Sequence, residues 1–502
     1  MSNLELFWHN YKYYPYEKDL AKKELLSFFE NSEIKERKDS VIVNGTFSPD
    51  MIKELTYFSK GRIAGDEIYT IQQKLENGAA VRSKRQNTRY SAHGLHEYKG
   101  KFNPQVVRGL LNIFKISSNS LVLDPFCGSG TTLTECAHKN VSAIGTDINP
   151  LATKIANAKI LALNSNYRIL EKEIFSVYNS FKKGLKNQKN FSIREDERGA
   201  YLSKWFNEDI LTKIEIYRKV VIEKSSKFED ILLILASNIL RDYSLQEPSD
   251  LRIRRRTSPM PDVKFEDCLD NQLKKFISTI KKSQSIIGVK ESNNYAINQD
   301  IKLLEPNKFI ENDSFDFAIT SPPYATALPY IDTQRLSLVW LDMINPKEIR
   351  PLEGQLIGSR EFNKKSQLSE WNHKLKTNYF QLPEEIYNLC INLQSSLIES
   401  DGFRRQAVPS LLYRYFSEMK ESFISVNQLL KKNAYFTLIV GFNKTTIGGE
   451  KYEINTPKLL GILGEQVNFQ FKENIELQTY RRYGIHSSNS VNKESLIILQ
   501  KK

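Results

Sequence analysis

Residues 120–150 read SLVLDPFCGSGTTLTECAHKNVSAIGTDINP. The short apolar run Leu121-Val122-Leu123 ends in Asp124, and a turn holding Gly128 and Gly130 follows. LTECAHKN has the spacing of a helix, and VSAIGTDINP is a second strand that ends in Asp147. Strand, turn, helix and strand in that order open a doubly wound α/β sheet. Glycines at the carboxyl end of a strand let the backbone approach a ligand that a Cβ would block, and the helix that follows offers unpaired N–H groups. An acid at the end of the next strand can accept hydrogen bonds from ribose hydroxyls. A phosphate loop of the GxxxxGK[ST] kind is excluded, because no lysine follows the glycines. A dinucleotide turn needs a third glycine where Leu133 stands. A purely structural turn leaves Asp147 as coincidence, so a nucleoside ligand with no phosphate at the turn fits best.

Working outward, HGLHEYKGKFNPQ (residues 93–105) precedes this unit and leads into VVRGLLNIF, spaced as a helix. Residues 1–90 carry stretches such as LAKKELLSFFENSEIKERK and predict a mainly helical region that ends in a basic segment, AAVRSKRQNTRY. Residues 91–164 form the first half of the α/β core, and 165–290 predict a basic helical insertion, too long for a loop. The core resumes over 291–340 with the strands YAINQD and FDFAITSPPY. A variable insertion covers 341–405. Residues 406–502 supply an amphipathic helix (SEMKESFISVNQLLKK), a buried strand (AYFTLIVGF) and two closing strands (NFQFKENIELQTY, ESLIILQKK).

The strand FDFAIT runs into Ser321-Pro322-Pro323-Tyr324. Two successive prolines remove two amide donors and stiffen the chain, which leaves the carbonyls of Ser321 and Pro322 without ladder partners. On its own this would be a strand followed by a Pro-Pro turn. Coupled to the glycine turn on the same sheet, it marks a second functional position.

The 502 residues carry 72 Lys and Arg against 59 Asp and Glu, a net charge of +13, which suits a polyanionic partner. Cys127, Cys136, Cys268 and Cys390 form no CxxC pair, so a reducing compartment is expected. The N-terminus shows no signal-peptide pattern. The longest apolar run, near Ile231–Leu240, is far short of the roughly 20 residues that span a bilayer. A cytoplasmic protein is expected. His93 and His96 lack a nearby set of cysteines or carboxylates in sequence, so no metal is expected there.

DPFCGSGTT strongly resembles the S-adenosylmethionine-binding motif of amino-group DNA methyltransferases, which act on cytosine N4 or adenine N6. The resemblance implies a Rossmann-like seven-stranded sheet whose last strand runs antiparallel, interrupted here by the helical insertion. It implies that Asp124, Pro125, Phe126, Gly128, Ser129, Gly130, Thr131 and Thr132 border the cofactor. Asp147 would hold its ribose, Ile148 would pack on the adenine, and Asp300 would lie near the adenine amino group. HGLHEYKGKFNPQ looks like the family segment that closes over the methionine end, with Lys101, Phe102 and Pro104 at the matching positions. The tetrapeptide Ser321, Pro322, Pro323, Tyr324 resembles the catalytic motif of the cytosine-N4 type. An exocyclic amino nitrogen is a poor nucleophile because its lone pair is delocalised into the ring. Ser321 Oγ and the Pro322 carbonyl can accept its two hydrogens, and Tyr324 can stack on a base turned out of the duplex.

The matching segments, roughly 91–160, 293–342 and 410–502, cover a little under half of the chain. The order of the motifs, with a large insertion before the catalytic strand, fits none of the family's named permutations tidily. Arg252, Arg254, Arg255 and Arg256, with Arg481 and Arg482, are candidates for contact with double-stranded DNA. A restriction–modification or phage-defence setting, with a cognate endonuclease or defence-system subunit as partner, is implied by resemblance only. Adenine-N6 methylation stays open. So, at lower rank, do a tRNA guanine-N2 methyltransferase and a nucleic-acid binder that has lost its chemistry.

Overall fold

The computed structural model describes residues 2–30, 32–45, 47–76, 86–98, 100–188, 191–250, 253–304, 306, 310–325, 330–360, 362, 365–478 and 493–502. The first strands are β1 (Ser2–Trp8), β2 (Glu33–Glu36), β3 (Ser40–Gly45), β4 (Phe58–Ile63) and β5 (Asp66–Tyr69). They form one antiparallel sheet in the order β2-β3-β1-β4-β5. This corrects the expectation of a mainly helical region over 1–90. The stretch LAKKELLSFFENSEIKERK does not continue as one helix: its helix is Pro15–Phe28, and EIKE goes to β2. The period-2 alternation of Leu4 and Leu6, both fully buried, around Glu5 was the signal that longer helical stretches masked.

This sheet is fastened to the rest of the chain by a buried acid. Glu24 accepts from the Thr56 amide at 3.0 Å and from Asn112 Nδ2 at 2.6 Å. Asn112 lies on the helix Pro104–Ile113, which starts on the proline of KFNPQ and is capped by the Asn103 side chain. Proline at the first helical position loses only an amide that would be unpaired there.

The main sheet comprises β6 (Leu121–Asp124), β7 (Ser142–Asp147), β8 (Tyr295–Asn298), β9 (Phe315–Thr320), β10 (Leu430–Gly441), β13 (Phe469–Gln478) and β14 (Lys493–Lys501). Between β10 and β13 lies a separate hairpin, β11 (Asn443–Ile447) with β12 (Glu450–Ile454). The seven strands run in the order β13-β14-β10-β9-β6-β7-β8. Strands β6 to β10 pair in parallel, and β14 pairs antiparallel with both β10 and β13. The expected doubly wound α/β sheet with an antiparallel last strand is therefore present. The central strands β9 and β10 read as almost continuous apolar runs because helices cover both faces.

The chain moves from β6 outward to β7 and β8, then crosses back to place β9 on the other side of β6. The sheet's switch point is therefore between β6 and β9, and in open α/β sheets ligands bind outside the carboxyl ends of the strands there. Asp124 and Thr320 are the last residues of those two strands.

Between β7 and β8 the described chain is helical: Pro150–Leu163, Tyr167–Leu185, Glu197–Ser203, Glu208–Lys224, Glu229–Ser237 and Phe265–Ile287. Among the described residues no helix is long and apolar enough to cross a membrane.

Candidate active site

The glycine turn is built by three constraints. Gly128 and Gly130 have φ of +48° and +75°, left-handed values that cost an L side chain strain. A Cβ on Gly130 would lie 2.6 Å from the Ala156 Cβ on the helix Pro150–Leu163, so that helix and the turn can pack only through a glycine. The turn is tied to β7 by the Cys127 amide, which donates to the Thr146 carbonyl at 2.9 Å. Gly130→Ala is expected to cost about 2–4 kcal/mol, from the backbone strain and the overpacking together. Urea unfolding checks this, and a loss under about 0.5 kcal/mol would mean that the turn relaxes freely.

Asp124 is fully buried. Its Oδ1 accepts from the Thr320 hydroxyl at 2.7 Å and from the Phe126 amide at 3.2 Å, so one carboxylate joins the ends of β6 and β9. Burial pushes its pKa up to about 7, against the hydrogen bonds that favour the charged form. Among the described residues Asp124 Oδ2 and Thr132 Oγ1 have no hydrogen-bond partner, although the Thr132 hydroxyl lies close enough to favour the ionised carboxylate.

Asp147 accepts from the Gly128 amide at 2.9 Å and the Asn149 amide at 2.8 Å. Burial raises its pKa to about 6. Ile148 is half-buried, and its carbonyl takes the Asn298 side-chain amide at 2.9 Å. Asp300 caps the short turn Ile301–Leu303 through the Lys302 amide at 3.0 Å, and its carboxylate also faces the Lys302 ammonium at 3.4 Å.

The segment before the turn does lie on it. A Cβ on Gly128 would lie 3.3 Å from the ring of Tyr98, whose hydroxyl is 3.5 Å from Asn149 Nδ2. Lys101 donates to the Thr88 carbonyl at 2.9 Å, and burial brings its pKa down to about 7. Phe102 packs partly buried against the larger core cluster, and Pro104 starts the next helix. Sequence reasoning missed Lys159, a fully buried lysine whose ammonium donates to the Ser129 carbonyl at 2.6 Å. Its place on an otherwise apolar helix face was the available signal.

His93 is not isolated from carboxylates in space. Glu135, on the helix Thr131–His138, lies 2.7 Å from His93 Nε2 and 3.3 Å from His138 Nδ1. The Tyr90 hydroxyl donates to the same oxygen at 2.8 Å, and the Arg108 guanidinium stands 3.6 Å from the other. A carboxylate already served by so many donors is a hydrogen-bonded hub that fixes the segment over the glycine turn.

At the end of β9, Ser321 is half-buried and Pro322 buried. Among the described residues nothing donates to the carbonyl of either. Tyr324 is pinned: its hydroxyl donates to Glu494 Oε1 at 2.7 Å, and its ring lies over Gly441, where a Cβ would be 3.1 Å away. Gly441 and Glu494 are partners across β10 and β14. Asn443 donates to the Ala325 carbonyl, and Thr456 holds Asn443 at 2.9 Å. None of Glu494, Gly441, Asn443 and Thr320 was singled out in the sequence, because their roles depend on strand register.

The arginine candidates divide. Arg256 donates through Nη1 to the carbonyls of Asp242 and Ser244 at 2.6 and 2.8 Å, which ties that side of its guanidinium into the fold. Arg254 is exposed and 3.6 Å from Asp250. Arg255 is exposed, with its guanidinium 5.0 Å from the Trp205 ring centre. Arg252, Arg481 and Arg482 lie outside the described residues.

A seven-stranded sheet in this order, with a glycine turn after its first strand, an acid closing the second and an antiparallel last strand, defines a methyltransferase that uses S-adenosylmethionine. The site fits that cofactor: two left-handed glycines clear the space, and Asp124 keeps a buried, unpaired oxygen beside it. A family model described as a DNA methylase, N6_N4_Mtase, matches residues 4–158. The type II methyltransferase M.BsoBI of Geobacillus stearothermophilus is 24% identical over 468 residues, covering 87% of this chain and 88% of that protein. M.MvaI of Kocuria varians is 24% identical over 295 residues, covering 55% of this chain and 63% of that protein, less than two thirds of its length. Among solved structures, TrmN from Thermus thermophilus is matched over 100% of both chains at 10% identity and a TM-score of 0.32. These matches support a likeness to the amino-group DNA methyltransferases, the N6/N4 DNA methylases.

Proposed function

We propose that the protein is a site-specific DNA methyltransferase acting on the N4 amino group of cytosine in duplex DNA. One observation carries this reading: the two open carbonyls at Ser321 and Pro322 stand one and two residues beyond Thr320, whose hydroxyl is bonded to the cofactor-side Asp124 at 2.7 Å. Catalytic turn and cofactor turn are thus held in one frame across the switch point. The bound cofactor supplies a methyl on a sulfonium, an excellent leaving group, so positioning and electrostatics carry most of the rate.

The chain's own residues do the rest. Ser321 Oγ and the Pro322 carbonyl accept the two amino hydrogens and favour a pyramidal nitrogen with its lone pair toward the methyl. The Pro322-Pro323 pair fixes the direction of those acceptors. Tyr324, held at its hydroxyl by Glu494, offers a fixed ring on which a flipped base can stack. Asp124, Phe126, Gly128, Gly130 and Thr131 line the methionine side. Asp147 holds the ribose with the lone pairs its two amide donors leave over, and Ile148 and Asp300 border the adenine. Arg254 and Arg255 face the DNA backbone.

Serine at the head of the tetrapeptide favours cytosine over adenine. A role in restriction–modification, with a cognate endonuclease, agrees with the family. The test is methyl transfer from labelled S-adenosylmethionine to unmethylated duplex DNA, followed by mass spectrometry of the nucleosides. N4-methylcytosine is expected. N6-methyladenine would keep the mechanism and overturn the inference from Ser321. Transfer to tRNA and not to duplex DNA would overturn the DNA reading.

A further inference from the structure

The helix that follows the catalytic turn, Tyr330–Trp340, carries an arginine with two buried, unspent donor nitrogens among the described residues. Arg335 is only 8% exposed, yet among the described residues its Nε and Nη2 have no hydrogen-bond partner. Its guanidinium stacks 4.6 Å from the ring centre of Trp205 and 5.9 Å from that of Tyr201. The Tyr201 hydroxyl is also buried without a partner among the described residues. Arg255, from the basic segment of the insertion, approaches the same indole at 5.0 Å.

Buried Arg198, nearby, spends its donors on the fold. Arg198 forks onto Glu215 at 2.7 and 2.8 Å and donates to the Val339 and Trp340 carbonyls at 3.1 and 2.7 Å. Those bonds tie the helix Glu197–Ser203, which carries Tyr201, to the end of the helix that carries Arg335. The frame around Arg335 is therefore rigid while its own donors stay open. Asp332, one turn earlier, faces the guanidinium and helps keep it charged against burial.

The cluster adjoins the catalytic site. Gln334 accepts from Asn149 Nδ2 at 2.5 Å, two residues beyond Asp147. Ser337 donates to the Ser237 carbonyl at 3.3 Å, and the Glu97 amide to Asn238 Oδ1 at 2.8 Å. The insertion thus touches both the helix after the catalytic turn and the segment over the glycine turn.

Two guanidiniums on one indole, with a phenol beside one of them, are all donors toward the ligand, and a planar guanidinium fork suits a phosphate. The geometry points to Arg335, Tyr201 and Arg255 as a phosphate-binding site for the DNA backbone, which grips the strand that delivers the base. This rests on the reading of the chain as a DNA methyltransferase. Arg335 is then a positioning residue, since it holds the strand and not the reacting atoms.

Affinity for a mixed-sequence unmethylated duplex is measured against salt for the full-length wild type, Arg335→Gln, Arg335→Lys and Arg255→Ala, with S-adenosylmethionine affinity measured alongside. Each phosphate contact adds about 0.9 to the slope of log affinity against log salt. Arg335→Gln and Arg255→Ala should each weaken duplex binding about ten- to a hundredfold and flatten the slope by about one, with cofactor affinity intact. Arg335→Lys should keep the slope and lose part of the affinity. A merely structural arginine would not move the slope. Should Arg335→Gln misfold, the exposed Arg255 still carries the test. Wild-type slopes in both neutral variants would overturn the phosphate site and leave the DNA reading standing. Loss of cofactor affinity with the slope retained would also overturn it, assigning the arginine to the cofactor's carboxylate. A wild type indifferent to duplex DNA would sink both readings.

Discussion

Ser321→Ala is expected to lower kcat for methyl transfer by about a hundred- to a thousandfold, the usual loss when one fixed polar partner of a developing charge is removed. Ser321 is half-buried, and among the described residues its hydroxyl is committed to no other group, so its removal should leave stability within about 0.5 kcal/mol. KM for S-adenosylmethionine should stay put, because the role proposed for the serine is toward the amino group and not the cofactor. Pro322→Ala should cost less, since its carbonyl acceptor survives and only the rigidity of the turn is lost. Single-turnover transfer on duplex DNA separates chemistry from product release. A kcat that survives Ser321→Ala would leave the Pro322 carbonyl as the main acceptor and remove the case for cytosine that rests on the serine.

The order of the core was legible because its strands announce themselves by length and by what ends them. LVLD, SAIGTD, YAIN and FDFAIT each stop at an acid, a turn residue or a proline, and each is a strand of the main sheet. The glycine turn was legible because left-handed backbone leaves few residue types that fit. The N-terminal sheet was not, because EIKE in β2 has no apolar alternation and continues a charged helical stretch; its strand state comes from pairing with β3. Residues that act through register were also hidden. Glu494 meets Tyr324 only because β14 lies antiparallel to β10 with Glu494 opposite Gly441. Arg256 looked the same as Arg255 in sequence, and only the turn at Asp242 to Ser244 directs one inward and leaves the other outside.

The affinity for S-adenosylmethionine should depend on pH through Asp124. Burial puts its pKa at about 7, so near neutrality a large share of this carboxyl is protonated in the free protein. The cofactor brings a permanent sulfonium and an ammonium, and an ionised carboxylate beside them is favoured, so binding lowers the pKa and releases a proton. Affinity should therefore fall roughly tenfold between pH 8 and pH 6, because one pH unit below a pKa near 7 costs a factor of ten. Asp147, raised to about 6, steepens the fall below that point. The effect on the unliganded fold has the opposite sign. Both carboxyls hold protons more tightly folded than unfolded, where a pKa near 3.9 is usual. Their contribution to stability is complete below about pH 4 and is lost as pH rises through about 7. Asp124→Asn keeps an oxygen to accept from Thr320 and from the Phe126 amide but cannot ionise. It should bind the cofactor weakly at every pH, with a flat profile, and lose less stability than the wild type between pH 5 and pH 8. Calorimetry in buffers of different ionisation enthalpy counts the proton released. A wild-type affinity that stays level from pH 6 to pH 8, with no proton released, would mean that Asp124 faces no cation of the cofactor and serves only to clamp β6 to β9.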